Sequence, residues 1–131
     1  MIEKRLQGLR QRQATDGLDC VALVPGANLR YLTSLNLSLS ERPFVLFFPR
    51  EGRPASILPT LEAPRIEAHL TFEAELFTYS DEEGPQLAFE RACRALNLAG
   101  KRLGVEFLHM RVLELKRLEQ YAPGCQMLDA G

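Results

Sequence analysis

A chain of 131 residues with 46% hydrophobic and 25% charged side chains has the size and composition of one folded domain, large enough to bury a single core without disulfide or metal staples. Sixteen Lys and Arg against seventeen Asp and Glu leave a formal charge of -1, so no long-range positive field exists to gather a phosphate backbone, and no nucleic-acid partner is expected. No apolar stretch reaches the length of a membrane span, and the charged start MIEKRLQGLRQRQ lacks the apolar core of a signal peptide, which predicts a cytoplasmic chain with no membrane partner.

Ile2, Leu6 and Leu9 recur at spacings of four and three on a charged segment, the pattern of an amphipathic helix. Asp16-Gly17 ends it, with Gly17 suited to a left-handed terminal position. The run CVALV that follows is apolar at every position, as a strand covered on both faces must be, and already favours an α/β architecture. Pro25-Gly26 breaks this strand, and the segment after it carries Asn28, Arg30 and Tyr31 together. A local reading has Asn28 capping a short helix, Leu29 and Leu32 facing the core, and Tyr31 burying its ring while its hydroxyl finds a partner. That local reading leaves room for a role of the same segment at a subunit interface.

PFVLFFP (43–49) and PASILP (54–59) are two strands bracketed by prolines and joined by REGR, a connection of hairpin length, so they are expected to pair antiparallel. Thr60 is the expected N-cap of a short helix over LEAPRIEAH, where Pro64 is tolerable in the first turn. FEAELFTY (72–79) reads as a strand, and 85–98 as a helix with Leu87, Ala88, Ala92, Cys93, Ala95 and Leu96 on its apolar face. KRLGVE (101–106) is a short strand, and Val112, Leu113, Leu115 and Leu118 stripe a further helix. Met127 and Leu128 suggest a last strand, and an apolar strand in that place is expected either at a sheet edge or against a further domain. The alternation predicts a mixed, mostly parallel sheet with helices on its faces.

Chemistry-bearing motifs are sparse. His69 and His109 lack the spacing that would place two imidazoles on one helix face, and no nucleophile elbow, zinc-helix pair or phosphate-binding loop occurs. The acidic run SDEEG (80–84) precedes a helix start, where carboxylates interact favourably with the helix dipole, and it receives no chemical role. Cys20, Cys93 and Cys125 have no paired spacing; the first two are expected as small buried hydrophobes, and Cys125, after Pro123-Gly124, as the most exposed.

The ordered set RLQGLRQRQATDGLDCVALVPGANLRYLTSL, then the hairpin FVLFFPREGRPASILP, then KRLGVE resembles the N-terminal domain of the creatinase, prolidase and aminopeptidase P family, over Arg5 to about Asp129. Its strongest part is Gly17-Leu18-Asp19, the apolar strand, and Asn28-x-x-Tyr31-Leu32-Thr33; the departure is Ser34-Leu35, where many relatives carry Gly-Phe. The resemblance implies a six-stranded mixed sheet with helices on both faces, similar to a ribonuclease H-like core, with residues 1–131 forming that one domain. It also implies that catalysis belongs to a separate C-terminal metallopeptidase domain, whose two divalent ions (manganese, cobalt or zinc) hydrolyse Xaa-Pro peptide bonds. No catalytic residue, metal ligand or cofactor is therefore expected in this chain.

For this domain the resemblance implies homodimer formation, contact with its own catalytic domain, and shaping of access for a proline-containing peptide. Asn28 and Tyr31 are then substrate-access or interface candidates, and the loop SLNLSLSERP (34–43) lies where an access loop would be. Arg42 in that loop is a candidate to meet a substrate carboxylate, because a guanidinium fork matches that group; the alternative is an ordinary solvated arginine. Two other functions stay open under the same resemblance: a free-standing peptide- or protein-binding module, and the N-terminal domain of a creatinase-like hydrolase.

Overall fold

An apolar run with no polar position, such as Cys20 to Leu23, needs cover on both faces, and the fold gives it the middle of a sheet with helices above and below. The computed structural model describes residues 2–130. In chain order the elements are α1 (Ile2–Asp16), β1 (Cys20–Leu23), α2 (Ala27–Thr33), β2 (Val45–Pro49), β3 (Ala55–Pro59), a 3-10 turn (Thr60–Glu62) leading into α3 (Ala63–His69), β4 (Glu75–Tyr79), α4 (Gln86–Ala95), β5 (Arg102–Val105), α5 (Val112–Tyr121) and β6 (Gln126–Asp129). The strands form one six-stranded sheet in the order β4-β3-β2-β1-β5-β6. β2 runs antiparallel to both β1 and β3, as the hairpin reading expects, while β1–β5, β5–β6 and β3–β4 are parallel.

Alternation along the strands divides the core in two. Cys20, Ala22 and Val24, with Val45, Phe47, Ile57 and Leu103, pack against Ala88, Phe89, Ala92 and Cys93 of α4 and Leu118 of α5. On the other face Val21, Leu23, Leu46, Phe48 and Leu58 meet Leu29 and Leu32 of α2, Ile66 of α3, and Leu6 and Leu9 of α1. The α1 stripe continues one turn further than its leucines do: Gln13 is buried and donates from Nε2 to the Phe48 carbonyl at 2.6 Å, fastening the helix to β2. Gly17, at φ 70, takes the left-handed position that ends α1.

Several local readings are corrected. Thr60 makes no side-chain cap; it opens the 3-10 turn behind Pro59, and α3 starts at Ala63 with Pro64 in its first turn. On α4 the buried face includes Phe89, while Leu87 and Ala95 point to solvent. On α5 Val112 and Leu113 are exposed, and the buried pair is Glu114 and Leu118. The cause is a capping box: the Glu114 carboxylate accepts from the Arg111 backbone at 2.9 Å and from the Arg111 guanidinium at 2.6 Å, which turns position 114 inward. β4 begins at Glu75, three residues later than expected, because Phe72 packs against Phe48 with ring centroids 5.9 Å apart and stays outside the ladder.

Candidate functional site

Because β2 alone runs against the others, the carboxyl ends of β1, β3, β4 and β5 lie along one edge of the sheet, where open α/β sheets present their ligand sites. The connections that leave this edge contain each sequence-derived candidate, and the structure gives each a distinct setting. Asn28 does not cap α2; the N-cap position is Gly26 and has no side-chain bond. Asn28 donates instead from Nδ2 to Glu106 Oε2 at 2.9 Å. Glu106, the first residue after β5, is buried, and its other oxygen accepts from the Val24 backbone at 3.4 Å. One carboxylate thus ties the ends of β1 and β5 to the start of α2.

Leu29 and Leu32 face the core as expected, but Tyr31 is 57% exposed. Its ring lies under the Arg5 guanidinium, 4.4 Å from the centroid, and its carbonyl accepts from Arg5 Nη1 at 2.7 Å. Tyr31 and Asn28 line a groove shared with α1 and Asp129. Arg42 belongs to a different groove, so the three candidates do not form one cluster.

The second groove, of about 710 Å³, has three walls: Asn36 to Phe44, Pro59 to Ile66, and Tyr79 to Glu82. Arg42 donates from Nε and Nη2 to the two carboxylate oxygens of Asp81 at 2.7 and 2.8 Å. The hydrogen-bonded guanidinium holds the Asp81 carboxyl below its usual range, and Asp81 in turn raises Arg42. Beside them the Tyr79 hydroxyl donates to the Pro43 carbonyl at 2.7 Å, and burial pushes its titration well above that of a free phenol. Arg65 on the facing wall pairs with Glu62 at 2.6 Å. Both groove arginines are engaged by carboxylates of the same chain.

The same edge gathers exposed apolar side chains. Leu39, Leu61, Leu87, Phe107, Leu108, Val112 and Leu113 all sit in connections or helix starts that follow the carboxyl ends of strands, with Leu61 90% and Leu108 93% accessible. Sequence reading missed Asp81, Glu106 and Glu114. Glu106 had a signal, a charge directly at the end of an apolar strand; Asp81 had none, since its partner lies 39 residues away.

Nucleophilic and metal chemistry find little support in these residues. Burial raises the Cys20 thiol, pushes Cys93 up to about 12 and raises half-buried Cys125, so none is poised as a thiolate. His69 and His109 are both exposed, and His69 Nδ1 lies 2.9 Å from the Arg65 carbonyl of its own helix. Among the described residues no group of three or more His, Cys, Asp or Glu is placed to hold a metal ion. The described side chains do not fit a dinuclear metal centre.

A family model described as the creatinase/prolidase N-terminal domain matches residues 5–131. The chain belongs to that family. Solved structures agree with the creatinase/prolidase N-terminal fold. The N-terminal domain of an X-Pro dipeptidase from Streptococcus pyogenes superposes with TM-score 0.83 at 24% identity, covering 97% of this chain and 93% of that one. A prolidase from Thermococcus sibiricus gives TM-score 0.85 at 25% identity over 98% of this chain, and dipeptidase PepE from Mycobacterium ulcerans gives 0.80 at 24% over 98%. This creatinase/prolidase N-terminal domain spans 34% of the length of each of those two proteins. The comparison with curated protein sequences gives no match.

Proposed function

We propose that this chain serves as the noncatalytic N-terminal domain of a dimeric, cytoplasmic Xaa-Pro metallopeptidase of prolidase or aminopeptidase P type, and that its carboxyl edge faces the substrate path and the partner subunit. The observation that carries this reading is the placement of exposed large apolar side chains in the connections at one edge of the sheet, with Leu61 lining the groove that holds Arg42. Apolar surface gathered in this way marks a face made to be covered by protein or ligand. The family match and the solved Xaa-Pro dipeptidases of the same fold support that enzyme class. Hydrolysis would belong to a separate catalytic domain, where two divalent ions, manganese, cobalt or zinc, would supply water activation and carbonyl polarisation. On this side of the division Asn28 fixes α2 through Glu106, Tyr31 fixes it to α1, and the Arg42 fork, held by Asp81, would meet a peptide carboxylate only by exchanging that partner.

An antibody raised against these residues tests the division of labour. It should detect, in the source cells, a species well above 14.8 kDa, and the immunoprecipitate should hydrolyse Leu-Pro with manganese while the isolated chain does not. A species of 14.8 kDa alone, or Leu-Pro hydrolysis by the isolated chain, overturns the reading.

A further inference from the structure

The segment from Ser34 to Pro43 is nailed at both ends, and between them Leu37 packs against the core while residues 38–42 are exposed. At its start the Thr33 hydroxyl donates to the Leu29 carbonyl at 2.7 Å and accepts from the Leu35 backbone at 3.1 Å, with Leu35 buried and Ser34 turned into the left-handed region at φ 65. At its end Pro43 is held by the buried Tyr79 hydroxyl. Residues 36–42 are exposed except for half-buried Leu37. Among the described residues, the hydrogen bonds that cross from 36–42 to another element are the two from Arg42 to Asp81.

We propose that the Arg42–Asp81 pair is a releasable latch, which pins the 36–42 strap to the β4–α4 turn and thereby sets how wide the groove stands open. The geometry favours closure, because a bidentate fork fixes direction as well as distance. Exposure favours easy release: both side chains stand in water, where salt and competing ions screen the attraction. The left-handed Ser34 and the Tyr79-bound Pro43 are the two points about which the strap turns, so opening moves one groove wall and leaves the sheet in place. Only the consequence for substrate entry rests on the proposed peptidase role; the latch itself rests on the contacts.

Proteolysis reads the strap directly, because Glu41 lies within it and a glutamyl endopeptidase must pull several residues into an extended form to cut there. In the 131-residue chain, Asp81→Asn and Arg42→Gln should each speed cleavage after Glu41 about fivefold or more, since cutting tracks the population of the open form when opening is fast. Cleavage after Glu51 in the β2–β3 turn should not change. The exchanged pair Arg42→Asp with Asp81→Arg should restore slow cleavage, and 1 M salt should speed the wild type (Debye length about 3 Å) but not Asp81→Asn. Unchanged cleavage in both single variants, or failure of the exchanged pair to restore protection, overturns the latch. Neither result depends on peptidase activity, so loss of the enzyme reading would leave this test intact.

Discussion

A carboxylate with almost no access to water has to be held by donors, and Glu106 is held by the Val24 backbone and by Asn28. Glu106→Ala therefore strands the buried Val24 N–H and releases the exposed Asn28 amide to water, and the expected loss is about 1–3 kcal/mol in urea unfolding, with Glu106→Gln losing less because one acceptor oxygen survives. An alanine variant within about 0.5 kcal/mol of wild type would mean that the brace holds nothing. The thiols provide a second residue-scale test. At pH 8 modification of the native chain by Ellman's reagent should be confined to Cys125 and slow, because its raised thiol is mostly protonated, with Cys20 and Cys93 reacting only after unfolding in guanidinium. Stability should also fall as pH rises beyond 9.0, because the unfolded chain releases thiol protons that folded Cys93 keeps to about 12. The burial of Cys20 and Cys93 was legible in the sequence because an apolar strand or helix face has no other place for a thiol. The partner of Asn28 was not, since a carboxylate 78 residues away leaves no local trace, and the pattern suggested a cap instead.

Elements were legible where periodicity is long or unbroken. α1, the β2–β3 hairpin and the start of α4 behind Pro85 follow from spacing and punctuation alone. α5 failed in its orientation because apolar residues at 112, 113, 115 and 118 allow more than one buried face, and a box built on Arg111 lacks the Ser, Thr, Asp or Asn that usually marks a helix start. The choice between faces was made by Glu114. Gly104 shows the same limit in a strand: it read as ordinary strand content, yet it sits where β1 and the end of β6 close in. A Cβ there would lie 2.9 Å from both the Ala130 Cβ and a Leu18 methyl, and 3.3 Å from Val21. Gly104→Ala is expected to cost about 1–3 kcal/mol through overpacking despite its gain in strand propensity, as measured by thermal or urea unfolding. A neutral or stabilising result would mean that Leu18, Val21 and the β6 end yield more readily than their packing implies.

At the scale of the molecule, strand direction decides where function can sit. Composition announces a globular domain and the order of elements an α/β one, but only the pairing of the strands, with β2 antiparallel to its neighbours, brings the connections after β1, β3, β4 and β5 to one edge. The exposed leucines were therefore not visible as a group: Leu39, Leu61 and Leu108 belong to separate segments and each, taken singly, is ordinary surface. Placed along one edge of the sheet, they expose apolar surface that an apolar probe should find. The folded chain is expected to bind bis-ANS, and Leu61→Asp with Leu108→Asp should remove most of that binding. Both side chains are so exposed that unfolding should stay within about 0.5 kcal/mol of wild type. This separation is what distinguishes a docking face from a weak core, because dye binding to a loosened interior would rise, not fall, when destabilising charges are added. Dye binding that survives both substitutions would instead place the exposed apolar surface elsewhere, with Tyr31 and the α1 groove the next region to substitute.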